Sequence, residues 1–163
     1  MKKINKKIVG YSVSQSSEDL IDQKKQQNSK VEEEERAEVI RMHEKLERPE
    51  MLVGSTYKVK TPISDHAMYV TINDIILNQN TEHEKRRPFE IFINSKNLDH
   101  YQWIVALTRI ISAVFRKGGD VTFLVDELKA VFDPRGGYWQ AGGKYMPSII
   151  AELGYIVEKH LIS

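Results

Sequence analysis

The sequence predicts an α+β fold: a small antiparallel sheet of about three strands packed against three helices, preceded by a flexible N-terminal tail and a short lead-in helix. Three observations lead there. Between residues 55 and 93, apolar residues alternate with a period of two in segments rich in β-branched and aromatic side chains. After Asn94 the period becomes helical and stays so to the end, broken only by Gly118-Gly119 and by a glycine-rich stretch over 133–148. A run of strands followed by a run of helices is the pattern of a segregated α+β domain, with helices on one face of the sheet.

Residues 1–30 are rich in Lys, Gln, Ser and Asn, and their only apolar islands are Ile8-Val9 and Leu20-Ile21. Such a composition buries too little surface to offset the entropy of ordering, and it predicts a flexible tail. Residues 31–47 predict a lead-in helix, with Glu32 to Glu35 at its N-terminal end, where the helix dipole favours negative charge. Its apolar stripe is weak, which favours a solvated helix over a docking element. Arg48-Pro49 breaks it, and 48–163 form the main domain.

Within that domain, Thr56, Lys58 and Lys60 alternate with Tyr57 and Val59 in a strand that stops before Pro62. Ile63 to His66 read as a turn and Met68 to Ile72 as the returning strand of a hairpin. Residues 78–87 read as a polar loop ending in Lys85-Arg86-Arg87-Pro88, before a third strand over Phe89–Ile93.

Asn97 or Asp99 is placed to cap a helix running to about Lys117. Only Gln102, Arg109, Ala113 and Arg116 interrupt its apolar circumference. A helix of that kind is expected to be central, with the sheet on one side and other helices or a second subunit on the other. Gly118-Gly119 ends it, and Asp120 caps a helix over Val121–Phe132. Ser148 caps the last helix, whose buried stripe is Ile149, Ile150, Leu153, Ile156, Val157 and Leu161.

Composition bounds the function. At 163 residues, 40% hydrophobic and 29% charged, the chain fits one ordinary globular domain. A net charge of +1 argues against nucleic acid or a membrane surface as the main partner. No apolar run reaches the roughly 18 residues of a membrane span, and no apolar segment follows the N-terminal lysines as in a signal peptide, so the expected location is cytoplasmic. There is no cysteine, which excludes disulfides, thiolate metal sites and thiol or thiyl-radical chemistry carried by this chain.

The glycine-rich stretch is the main candidate site. Four of the nine glycines fall within 136–143, interleaved with Tyr138, Trp139 and, just beyond, Lys144 and Tyr145. Glycine at that density marks a backbone that turns unusually or approaches something closely. One reading is an anion cradle made by the N–H groups of Gly142 and Gly143, the Lys144 ammonium and the helix start at Ser148. The pattern is not a P-loop, because Lys144 is followed by Tyr145 and a helix precedes the loop. The other reading is a structural loop whose aromatics pack on the core. The basic triplet Lys85, Arg86, Arg87 is a weaker phosphate candidate, offset by Glu82, Glu84 and Glu90. Arg109 and Arg116 on a buried helix call for anionic partners, which Asp126, Glu127 or Glu152 can supply internally. The five histidines show no metal-ligand spacing, and no nucleophile–base arrangement stands out.

A set of ordered segments carries a family resemblance. It comprises Arg48-Pro49-Glu50, Gly54 to Lys58, Tyr69 to Asn73, Arg87 to Lys96, Gln102 to Gly119, Gly136 to Trp139 and Gly142 to Ser148. Together they resemble the TSCPD domain, the C-terminal region of adenosylcobalamin-dependent (class II) ribonucleotide reductases, over about residues 47–161. The Ser-Cys-Pro-Asp core of the family name falls near Tyr145-Met146-Pro147-Ser148, where only the proline matches. The chain therefore resembles a cysteine-free branch of the family.

The resemblance implies a non-catalytic accessory subunit or detached C-terminal domain of a B12-dependent reductase. The chain is too short for a reductase barrel and has no cysteine for its radical, so it is not expected to be an enzyme on its own. It binds no cofactor on this reading, and adenosylcobalamin belongs to the catalytic chain. It also ends at Ser163 without a cysteine-bearing tail for relaying electrons. The expected binding surface is Arg135, Tyr138, Trp139, Gly142, Gly143, Lys144 and Ser148, with Lys85, Arg86 and Arg87. Two other readings stand beside this one: a nucleotide- or phosphate-sensing module, and a protein-interaction domain with no small ligand. The partners that fit are the catalytic chain of a class II ribonucleotide reductase, a second copy of this chain and a nucleotide.

Overall fold

Three strands, β1 (Val53–Val59), β2 (Met68–Leu77) and β3 (Lys85–Ser95), form an antiparallel sheet in the order β1-β2-β3. The computed structural model describes residues 39–96 and 101–163, and Ile40–Ser163 form one compact unit. The expected tail over 1–30, residues 31–38 of the expected lead-in helix and the expected caps Asn97 and Asp99 lie outside the described residues. Among the described residues, no helix is long and apolar enough to cross a membrane.

The strands are longer than alternation alone implied. Lys85 to Pro88, expected in a loop, belong to β3 and pair with Leu77 to Asp74. The register shifts there, because Asn73 faces Glu90 while Asp74 faces Pro88 and Phe89 is the extra residue. A bulge on an outer strand is where a sheet tolerates a proline.

Strand parity sets two cores. Val59, Val70, Ile72 and Ile91 face the helices and pack with Ile111, Phe115, Leu124, Val125, Leu128, Leu153 and Val157. Ile75 and Leu77 point the other way and, with Phe89, are covered by Met42, Leu46 and Leu52. Residues 40–50 therefore run as a strap with a single turn at 44–45, and their part of the lead-in helix is absent. The reason is local. Asn78 Oδ1 accepts from Ile40 N–H (2.8 Å) and Asn78 Nδ2 donates to Ile40 O (2.9 Å), occupying groups a helix would need.

Helix α1 (Tyr101–Lys117) lies along the outer side of β3, where Ile91 N–H donates to Ser112 Oγ (3.0 Å) and Ser112 Oγ donates to Thr108 O (2.7 Å). A helix set against a strand edge buries one stripe, here Thr108, Ile111, Ser112 and Phe115. The all-round burial expected for it is not present: Trp103 is 77% exposed and Ile110 62%. Gly118 ends the helix at φ +80°, where a Cβ would fall 2.4 Å from Met42 O in the strap.

Helix α2 (Phe123–Lys129) is shorter than the expected Val121–Phe132. Asp120 Oδ1 accepts from Thr122 N–H (2.9 Å) and hydroxyl (2.7 Å), capping a tight turn that precedes the helix proper. At the other end, Asp133 N–H donates to Pro147 O (3.0 Å) and draws the chain away, leaving Phe132 72% exposed. Strands β4 (Tyr138–Trp139) and β5 (Tyr145–Met146) form a small hairpin, and α3 (Ile149–Leu161) closes the fold. Ser148 caps α3 as expected, its Oγ accepting from Ala151 N–H at 3.0 Å. Gly154 lets α2 pack closely on α3, since a Cβ there would sit 3.0 Å from Leu128 Cβ.

Candidate functional site

The glycine-rich stretch folds as a hairpin with two unlike faces. It opens on Asp133, whose carboxylate accepts from Arg135 N–H (2.9 Å), Nε (3.3 Å) and Nη2 (3.2 Å). Those bonds hold the Asp133 carboxyl below the usual carboxylate range. Gly136, Gly142 and Gly143 take φ of +103°, +97° and +83°, a region L side chains rarely enter. Gly137 is required for a different reason: a Cβ there would lie 2.0 Å from Met146 O on the facing strand.

Pairing of Tyr138 with Met146 and Trp139 with Tyr145 sets the faces. Tyr138 and Met146 point inward and are buried. The Tyr138 hydroxyl donates to Glu152 Oε2, and Gln140 Nε2 donates to Glu152 Oε1. Burial, reinforced by the hydrogen bond and charge of Glu152, pushes the Tyr138 hydroxyl far above its ordinary pKa. Trp139 and Tyr145 point outward, 65% and 47% exposed, with ring centroids 5.2 Å apart and planes at 60°. Tyr145 is pinned by its own hydroxyl, which accepts from Gly137 N–H (3.1 Å).

Three of the parts expected to cradle an anion, Gly143, Lys144 and Ser148, are engaged within the fold, and Gly142 lies exposed on the turn. Gly143 N–H donates to Gln140 O (3.0 Å), closing the turn. Lys144 Nζ lies 3.2 Å from the centroid of the Tyr155 ring, which Lys129 Nζ also approaches at 4.3 Å. Ser148 Oγ, besides capping, donates to Val131 O (2.7 Å). The positive end of α3 meets the carboxylate of Glu152 in its own first turn.

The basic triplet is held elsewhere. Lys85 is exposed at the start of β3. Arg86 Nε bonds Asp74 Oδ2 (2.6 Å), and Arg87 Nη2 donates to Gly119 O. The internal pairs expected for Arg109 and Arg116 also differ. Arg109 is exposed. Arg116 lies over the Phe89 ring (5.8 Å) and acts on Glu90, while Glu152 serves the hairpin. The helix edge-on to the sheet explains this: its buried stripe of Thr108, Ile111, Ser112 and Phe115 meets β3, and Gln102, Arg109 and Ala113 of the polar strip are left exposed.

Sequence patterning did not mark two buried polar chains. In one, Tyr57 Oη bonds His160 Nδ1 (2.9 Å), His160 Nε2 bonds Asp74 Oδ1 and Oδ2 (2.9 and 3.0 Å), and Arg86 completes the line. His160 and Asp74 are 6% and 3% exposed, which closes this chain to substrate and makes it a bolt between sheet and α3. The signal was present: His160 continues the row of Leu153 and Val157, and Asp74 continues the inward row of Val70 and Ile72. In the other chain, Arg48 binds Glu90 with Nε (3.0 Å) and Nη2 (2.9 Å), and Asn73 Nδ2 donates to Glu90 Oε1 (2.9 Å). Among the described residues, no group of three or more His, Asp or Glu is placed to hold a metal ion.

The sequence matches the family model of the TSCPD domain over residues 37–161, most of the chain. The chain belongs to the TSCPD domain family. This domain is found in ribonucleotide reductase-related proteins. The match spans the strap, the sheet, all three helices and the hairpin, so the family pattern and the compact unit coincide. No curated protein and no solved structure matches the chain.

Proposed function

We propose that this TSCPD domain protein is a non-catalytic companion of a B12-dependent ribonucleotide reductase, and that the outer face of its hairpin binds the catalytic chain. The observation that carries the reading is the exposed Trp139–Tyr145 pair at the centre of the family's glycine-rich segment, held rigidly from beneath by Tyr138, Gln140 and Glu152. Exposed aromatics on a pre-formed support lose little conformational entropy on binding and are frequent interface anchors. The absence of cysteine fits a companion, because the radical and its reductant thiols then reside in the partner. Adenosylcobalamin is the partner's cofactor on this reading. The occupied Gly143 N–H and Lys144 ammonium speak against the hairpin as a phosphate sensor.

The test is to titrate a class II catalytic chain lacking this domain with the protein, following association by calorimetry and reductase activity in parallel. Saturable binding with a change in activity is expected. No association, and activity indifferent to the protein, would remove the reading. A thermal-shift response to nucleoside di- or triphosphates in its place would restore the sensor.

A further inference from the structure

We propose that the open edge of β1 joins two copies of this chain, antiparallel, into one continuous sheet. The two edges of the sheet are treated differently. The β3 edge is covered by α1, and its Ile91 N–H is satisfied by Ser112 Oγ. β1 pairs with β2 alone, and among the described residues no backbone hydrogen bond from outside the sheet reaches it. A seven-residue edge of this kind is a template for another strand unless something blunts it. β1 contains no proline and pairs with β2 without a register shift, so neither device is used. Gly54, Thr56 and Lys58 are exposed on the face of β1 turned away from the helices, and Val53, an apolar residue at the strand's start, is 48% exposed.

The sequence of β1 is complementary to itself about Thr56. A twofold axis perpendicular to the sheet keeps the helices of both copies on one side and places Thr56 opposite Thr56 of the second copy. Val53 then meets Val59, Ser55 meets Tyr57, and Lys58 meets Gly54, so all seven residues pair. The exposed Val53 gains an apolar neighbour that is itself part of the core. The single charge on the strand falls opposite a glycine, not opposite its own copy, which avoids like-charge repulsion across strands. At Gly54 the place of a side chain is filled by Asn73, whose Oδ1 would lie 2.1 Å from a Cβ there, so the group nearest that position is a neutral amide. The Thr56–Thr71 hydroxyl bond (2.9 Å) extends across the axis as a run of four threonines.

The missing cysteines make the test clean, since any introduced thiol is the only one in the full chain. Thr56→Cys, Lys58→Cys and Trp103→Cys all change exposed residues, and light scattering first establishes the mass of the unmodified protein. A dimer is expected, and mild oxidation or a short bismaleimide should link Thr56→Cys nearly completely. Lys58→Cys should stay unlinked, because in this register the two copies of residue 58 are four strand positions apart, about 13 Å. A monomer at all accessible concentrations would overturn the proposal. So would linkage at Trp103 in place of Thr56, which would move the interface to the outer face of α1.

Discussion

Glu152 and Glu90 show how single carboxylates are kept buried. Glu152 is 7% exposed and depends on the Tyr138 hydroxyl and the Gln140 amide. Tyr138→Phe removes one donor and leaves the charge half-satisfied, so a loss of about 1–3 kcal/mol is expected in urea unfolding. The same tyrosine adds an alkaline limb. Its folded pKa lies above the ordinary value of 10.0, so its contribution is full below pH 10 and declines above it, where the unfolded chain ionises first. The wild type should lose stability above pH 10 faster than Tyr138→Phe.

Glu90 has the opposite sign. Burial alone would raise its carboxyl, but the hydrogen bonds from Arg48 and Asn73 and the charges of Arg48 and Arg116 outweigh burial and hold it below 4.5. A lowered folded pKa contributes stability above the unfolded value and loses it as pH falls through the folded one. Glu90→Gln should therefore cost about 1–2 kcal/mol at pH 7, a figure kept small because Arg48 is half exposed. The gap to wild type should close as unfolding is repeated below pH 4.5. A gap that stays constant with pH would mean that Glu90 acts through packing and not charge.

At the scale of elements, Ser148 carries more than its cap. Its hydroxyl accepts from Ala151 N–H and donates to Val131 O, so one side chain ties the end of α2's connection to the start of α3. Ser148→Ala is expected to cost about 1–2 kcal/mol by chemical denaturation, because the cap is lost and the part-buried bond to Val131 O is lost with it. This cap was readable in the sequence because capping is local chemistry between residues three apart. The sheet order and the α3 stripe were readable for the same reason, since alternation and helical period are local. What was not readable depended on contacts distant along the chain. The strap over 40–50 answers to Asn78, the strand at Lys85–Pro88 answers to a bulge opposite Asn73, and α1 looked buried all round because its sequence cannot say that it meets a strand edge. In the hairpin, glycines and aromatics marked the place, but the division into an inward Tyr138 and an outward Trp139 needed the pairing with Met146 and Tyr145. Sequence alone gives His160 no partner, because one histidine on an apolar row means little until Asp74, 86 residues away, is placed beside it.

For the whole molecule, the hairpin separates shape from contact. Its inner residues, its positive-φ glycines and the Tyr145 hydroxyl on Gly137 N–H hold a shape, while Trp139, 65% exposed, contributes little to holding it. If that outer pair is an anchor for the catalytic chain of a class II reductase, binding and stability should come apart under substitution. Trp139→Ala is expected to leave the unfolding midpoint within about 0.5 kcal/mol of wild type, as exposed positions do. It should weaken association with the catalytic chain by about 2 kcal/mol or more, roughly 30-fold, as truncation of a central aromatic does. Gln140→Ala, beneath the same surface, should show the reverse balance, with a clear loss of stability from the half-satisfied Glu152 and a smaller effect on affinity. Calorimetric binding and urea unfolding of the two variants decide it. Equal affinity of Trp139→Ala and wild type would remove the hairpin as the docking face, whatever the partner proves to be.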